Sequence, residues 1–157
     1  MDFSQITETL FIGTTPPPEA YPFLRGLGVQ LVINMRIERP PFRDHSNPPI
    51  RLLWLPTADT PLIPIPLRAL KRGAIAALET FAQGGKVYTH CAGGVHRGVA
   101  MGAAILIAQG YSPEGAMELI KERREAADPY AWYILRQIIR FTESLENIKR
   151  NDRRGGS

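Results

Sequence analysis

The 157-residue chain contains a single cysteine, Cys91. One thiol excludes an internal disulfide framework and any cysteine-rich zinc site. It also leaves an oxidised Cys91 without a resolving partner in the chain, so only a backbone sulfenamide or an external thiol could resolve it. Long apolar runs are missing too: Val99–Ala108 is far too short to span a bilayer. The start, Met1-Asp2-Phe3-Ser4-Gln5, lacks the basic-then-apolar order of a signal peptide. A cytoplasmic protein without a membrane partner is expected. The net charge of +4 is modest and favours anionic ligands by steering. No aromatic-plus-basic platform accompanies it, so no nucleic-acid partner is expected. There is no internal repeat.

What remains suits one domain with a sizeable core. Ile6–Ile12 has the pattern of a strand, closed by Gly13 and Pro16-Pro17-Pro18. Glu19–Gly26 predicts a short helix limited by Pro22. The β-branched run Val29–Asn34 predicts a buried strand, and Ile50–Leu55 another. Between them, Arg36–Pro49 is a loop rich in proline and charge. Four prolines make Pro56–Pro66 a loop. Helical spacing of Leu67, Leu70, Ala74, Ile75, Leu78 and Phe81 predicts a helix to about Ala82, ended by Gly84-Gly85.

Lys86–Thr89 predicts a strand, and a helix then runs to about Gln109. Ser112-Pro113 and Asp128-Pro129 each carry a helix-start signal, the first leading into a helix over Ala116–Ala126. Trp132, Leu135, Ile138, Ile139, Phe141 and Leu145 mark a last helix. Trp54 and Trp132 are expected in the core. Residues 1–148 are expected to form one catalytic domain, and 149–157 a flexible basic tail. The fold class is α/β: three layers, with a mainly parallel sheet of four to five strands flanked by helices.

The chemistry concentrates in His90-Cys91-Ala92-Gly93-Gly94-Val95-His96-Arg97-Gly98. A strand, a glycine-containing loop and a helix N-terminus make an anion site, because unpaired N–H groups converge there. Such a site needs a thiolate nucleophile, a form that a helix N-terminus and a nearby cation favour. The N–H groups of Ala92, Gly93, Gly94, Val95, His96 and Arg97 can wrap phosphoryl oxygens as a nest. Gly93 and Gly94 allow the positive φ values a wrap requires. Arg97 can bind two oxygens bidentately. Protonating an ester leaving group needs a general acid. Asp59, on the proline-bearing loop after a predicted strand, is the first candidate, with Asp44 as the alternative. His96 faces either solvent or the pocket rim. Arg36, Arg39 and Arg43 are either solvated or flank the pocket, and Arg123 and Arg124 are read as favouring a helix dipole.

His90-Cys91-x2-Gly94-x2-Arg97, with Asp59 some thirty residues upstream, resembles the cysteine-dependent dual-specificity and protein-tyrosine phosphatases. Its small atypical members are the nearest in character. Ile6–Gly13, Leu27-Gly28-Val29 with Leu31–Asn34, and the two-helix finish around Ile120–Phe141 extend the resemblance over most of the chain. The resemblance implies Cys91 as nucleophile, Arg97 as phosphate clamp, and Asp59 as general acid and then base. It implies that His90 orders the loop by hydrogen bonds and favours the thiolate. The substrate would be a phosphorylated protein or peptide, with phosphotyrosine first and phosphoserine or phosphothreonine second. No metal or cofactor is implied, and a monomer is expected. One departure is Gly98, where the family usually has Ser or Thr to assist release of the Cys sulfur. A slow second step with accumulating cysteinyl-phosphate is therefore expected. Two other functions share the motif: a phosphate-binding module with weak turnover, and a rhodanese-like sulfurtransferase.

Overall fold

The computed structural model describes residues 1–155. Five strands, β1 (Phe3–Gln5), β2 (Leu10–Thr14), β3 (Val29–Arg36), β4 (Arg51–Thr57) and β5 (Lys86–Cys91), form one sheet in the order β1-β2-β5-β3-β4. β1 pairs antiparallel with β2, and every other pairing is parallel. The helices are α1 (Tyr21–Gly26, after a 3-10 turn over Pro18–Ala20), α2 (Leu67–Ala82), α3 (Arg97–Ala108), α4 (Pro113–Arg123) and α5 (Trp132–Gly155).

Strand alternation sorts the side chains to two faces. Leu10, Ile12, Leu31, Ile33 and Val87 join the large core built with α2 to α5. Phe11, Val32 and Tyr88 point the other way, into a small core with Tyr21 and Leu24 of α1. Three layers result. In α3 every residue except Ala108 is buried. A helix apolar all round belongs in the interior, and this one is fixed with its first residue, Arg97, beside the end of β5.

Several expectations change. The strand expected over Ile6–Ile12 begins only at Leu10: residues 6–9 turn the chain between β1 and β2, because the Thr7 hydroxyl accepts the N–H groups of Thr9 and Leu10 at 3.2 and 3.1 Å. Threonine side chains capture backbone donors in this way and divert the chain from a continuous ladder. The helix expected to Ala126 ends at Arg123, and Arg124 is extended at φ −135° and ψ 97°. The last helix continues to Gly155, where fraying from Ile148 was expected. Lys149, Arg150, Arg153 and Arg154 suit a helix C-terminal segment in propensity and charge. Residues 156 and 157 of the expected tail lie outside the described residues. Trp54 and Trp132 are 38% and 61% exposed, so neither is core. The Trp54 indole finds its partner at the edge instead, donating to the Arg36 carbonyl at 2.7 Å.

No helix among the described residues is long and apolar enough to cross a membrane.

Candidate active site

Parallel pairing brings the carboxyl ends of β2, β3, β4 and β5 to one edge, the edge where α/β folds hold ligands. Cys91 is the last residue of β5 and is buried. Ala92–His96 turn over this edge, and Arg97 opens α3. No intramolecular hydrogen bond among the described residues engages the N–H groups of Ala92–Arg97.

The carbonyls of the same loop are held by protein donors. Arg124 Nε donates to the Gly94 carbonyl at 2.8 Å, and its Nη2 to the Gly93 carbonyl at 3.1 Å. The Asp128 N–H donates to the Val95 carbonyl at 2.9 Å. The Thr15 hydroxyl donates to the Cys91 carbonyl at 3.3 Å. With the carbonyls committed outward, the opposing amides are left for an anion, which is the condition for a nest. Gly94 alone takes a positive φ in the loop, 63°; Gly93 does not. A Cβ at Gly94 would also lie 2.7 Å from Arg124 Nη2 and 2.9 Å from the Gly13 backbone.

Arg124 was expected to serve a helix dipole, and it does something else. It is 3% exposed, and Asp2 balances its charge through contacts of 3.1 and 3.3 Å. It braces the loop; its position one residue past α4 turns it inward.

Arg97 is 3% exposed. Its Nη1 and Nη2 donate to the two carboxylate oxygens of Glu38 at 2.7 and 3.1 Å, and Nη1 also donates to the Thr57 carbonyl at 2.8 Å. Burial works against its charge, but the Glu38 bond outweighs this and raises Arg97 above its ordinary range. The same bond holds the Glu38 carboxyl below its ordinary range, against the opposing effect of burial. Arg97 Nε is buried and donates to no protein group. A buried donor without a partner is costly, and an oxyanion cradled by Ala92–Arg97 is its natural acceptor.

Glu38 was not singled out in the sequence. Asn34 positions it: the Asn34 amide donates to the Arg39 carbonyl at 2.9 Å and accepts the Arg36 N–H at 2.8 Å, folding the turn after β3. Arg36 reaches Thr15 Oγ1 at 2.9 Å and lies 3.4 Å from Glu38. Arg36 is thus part of the site's frame rather than a solvated charge.

Asp59 follows β4 and meets the loop. Its Oδ1 accepts the Tyr133 hydroxyl at 2.8 Å, and its Oδ2 lies 3.1 Å from His96 Nδ1. His96 is on the rim, with its side chain 24% exposed. The Tyr133 phenol is pushed up to about 12, by burial first and then by the Asp59 bond, so it stays a donor. Gln137 of α5 donates to the Ile65 carbonyl at 2.6 Å, tying the far end of the same proline-rich loop. Asp44 is elsewhere. It accepts the N–H groups of Ile50 and Ser46 at 2.7 and 3.1 Å and pairs with Arg25 and the Ser46 hydroxyl. Burial opposes its charge, yet these donors hold its carboxyl well below the usual carboxylate range. Ile50 precedes β4, so Asp44 sits at the sheet edge opposite Cys91 and is no candidate acid.

His90 is 2% exposed, and its Nδ1 has no hydrogen-bond partner. Burial pushes it down to about 4, against a bond with the Cys91 backbone, so the ring is neutral at pH 7. Gly98 packs directly under β5: a Cβ there would lie 3.2 Å from His90 Cα and 3.3 Å from the Cys91 nitrogen. Its carbonyl accepts the buried Thr89 hydroxyl at 3.0 Å.

The five-stranded, mainly parallel sheet, with a Cys-ended central strand feeding an Arg-initiated helix, is the fold of the dual-specificity phosphatases. Among solved structures, PTPMT1 is 26% identical and superposes with a TM-score of 0.82, covering 96% of this chain and 99% of that chain. A point variant of human DUSP28 is 24% identical with a TM-score of 0.82, covering 94% of this chain and 98% of that one. The human tyrosine phosphatase-like serine/threonine/tyrosine-interacting protein is 25% identical with a TM-score of 0.75, covering 92% of this chain and 97% of its own. No protein-family model and no curated protein matches the sequence.

Proposed function

We propose that this chain is a phosphatase that cleaves phosphate monoesters of proteins or peptides through a cysteinyl-phosphate. The observation that carries the reading is the loop itself. Its carbonyls are pinned outward by Arg124, Asp128 and Thr15, its amides are uncommitted, and Cys91 and Arg97 stand at its two ends. In the first step, Cys91 Sγ attacks phosphorus as the ester P–O bond breaks. The amides of Ala92–Arg97 and the free Arg97 Nε carry the charge on the phosphoryl oxygens. Asp59 gives its proton to the leaving oxygen. In the second step Asp59 takes a proton from water, a new P–O bond forms and the S–P bond breaks. His90, neutral and buried, supports the strand end from which Cys91 projects.

Phosphotyrosine is the first substrate class, with phosphoserine and phosphothreonine second. PTPMT1 has been solved in complex with PI(5)P. The variable loop positions here, Ala92, Val95 and His96, with Gly93, include no Lys or Arg to grip extra phosphates, so peptides remain preferred. The protein is proposed to work in the cytoplasm as a monomer.

The test compares wild type, Cys91→Ser and Asp59→Asn on aryl phosphates of graded leaving-group pKa and on a phosphopeptide panel. Cys91→Ser should abolish turnover and vanadate should inhibit the wild type. Asp59→Asn should lose least on the best leaving groups. Thiosulfate-to-cyanide transfer without aryl phosphate cleavage would establish a sulfurtransferase instead. Oxyanion binding with no hydrolysis would leave a binding module.

A further inference from the structure

Three polar side chains from separate parts of the chain close into a triangle at the rim. Asp59 comes from the loop after β4, His96 from the turn before α3, and Tyr133 from the first turn of α5. The sides are 2.8 Å for Tyr133 Oη to Asp59 Oδ1, 3.1 Å for Asp59 Oδ2 to His96 Nδ1, and 3.2 Å for Tyr133 Oη to His96 Nδ1. The His96 and Tyr133 rings also pack, with centroids 5.6 Å apart. Both oxygens of Asp59 are therefore committed to protein groups. Tyr133 can only donate to one of them, because the phenol keeps its proton. The other oxygen faces a ring nitrogen that can either donate or accept. His96 is itself flanked: its Nε2 lies 3.8 Å from Asp128 Oδ2. The groups facing this cluster are thus Asp59, Asp128, Tyr133 and Arg97 at the start of α3.

We infer that His96 is the positioning residue for Asp59, locked in place by Tyr133, and that Asp59 and His96 hold the acid's single proton between them as one unit. This rests on the phosphatase reading and names what serves its acid. With neutral His96, the proton sits on Asp59 Oδ2 and points at Nδ1. With His96 protonated, Nδ1 donates to the carboxylate. Either way the pair carries one proton into the first step. As Sγ–P forms and the ester P–O bond breaks, that proton moves to the leaving oxygen and the pair is left one proton poorer. In the second step the attacking water returns a proton to the pair as P–O forms and Sγ–P breaks.

The first arm needs no activity: the His96 ring is observed by 15N-detected NMR in wild type, Asp59→Asn and Tyr133→Phe. The His96 Nδ1 resonance should change in Asp59→Asn, because the carboxyl facing it at 3.1 Å is replaced. Asp128→Asn should move it less, given the longer distance. Identical resonances in wild type and Asp59→Asn would overturn the pair. The second arm is kinetic. His96→Ala and Tyr133→Phe should lose about tenfold in kcat on phenyl phosphate, a fraction of the full general-acid contribution. Their loss on a nitrophenyl phosphate should be several-fold smaller. His96→Asn, which keeps a polar atom facing Asp59, should recover part of that rate on phenyl phosphate. Equal losses on all leaving groups would reduce His96 to a packing residue and overturn the inference. Absence of aryl phosphate hydrolysis by the wild type would overturn the phosphatase reading, and the NMR arm would still decide the pair.

Discussion

Arg124 Nε donates to the Gly94 carbonyl at 2.8 Å, so a guanidinium from beyond α4 holds the one loop residue with positive φ. The bond spans 30 positions of sequence and fixes which way the peptide units of the loop face. Replacing Arg124 by Met keeps the stem and deletes these donors. The expected cost is about 2–4 kcal/mol in urea unfolding, since buried carbonyls lose charged partners. Vanadate affinity should fall at least about tenfold, one charged hydrogen-bond network's worth. Retained vanadate affinity in a destabilised variant would refute the bracing role.

Glu38 balances the buried Arg97 guanidinium. Glu38→Gln preserves shape but removes the counter-charge. Because Glu38 is itself half exposed, screening trims the cost to about 1–2 kcal/mol. Thermal unfolding with and without phosphate is the check: an oxyanion replaces part of the missing charge, so phosphate should rescue Glu38→Gln more than wild type. Equal rescue would count against this account.

His90 gives the protein a distinctive acid sensitivity. The ring titrates near 6.5 in the unfolded chain and is pushed down to about 4 when folded. The unfolded chain therefore binds the extra proton first, and stability falls as pH drops from 6.5 toward 4. Between pH 7 and 5 the loss from this residue is about 2 kcal/mol. The carboxylates held low, Asp44 and Glu38, contribute only at lower pH, below their unfolded values. Denaturant midpoints at pH 7 and pH 5, in wild type and His90→Gln, should show the slope in the first and its loss in the second.

Gly98 sets two expectations. Rapid-mixing kinetics on the wild type should show a burst of product, because no hydroxyl follows Arg97 to ease release of Cys91. The remedy is sterically restricted: any Cβ at Gly98 meets the β5 backbone at 3.2–3.3 Å. Gly98→Ala should cost about 1–2 kcal/mol by overpacking. Gly98→Ser should carry the same steric cost yet shorten the slow phase. Comparing the two separates the hydroxyl from the methylene; a linear wild-type trace with fast turnover would sink the premise.

The strands carrying Val29–Asn34 and Lys86–Thr89 were legible because parallel strands buried on both faces are written as near-continuous apolar runs rich in β-branched residues. The loop from Cys91 to Arg97 was legible because its chemistry is local. Glu38, Arg124 and Tyr133 were not. Each acts across the fold, 59 positions from Arg97, 30 from Gly94 and 74 from Asp59. A charge seen alone in sequence reads as solvated surface, and only the pairing reveals otherwise. One local signal existed: Arg124 directly follows a helix that the Ser112 hydroxyl caps at 3.0 Å, and a residue just past a helix end is free to turn inward. The misread strand over Ile6–Ile12 failed for a different reason. The β-branched pattern continued across Thr7, whose hydroxyl instead takes the N–H groups of Thr9 and Leu10.

Asp2 meets Arg124 across 122 positions of sequence, and Arg124 in turn grips the loop. Such a contact belongs to the slow, non-local part of folding. A growing chain that has already exposed Cys91 and Arg97 still lacks the clasp, which can form only after α4 has emerged and the first strand has docked. The nascent protein therefore carries Cys91 and Arg97 well before it carries a formed anion cradle, and the hydrolysis proposed for it should appear late, with the docking of Asp2 against Arg124.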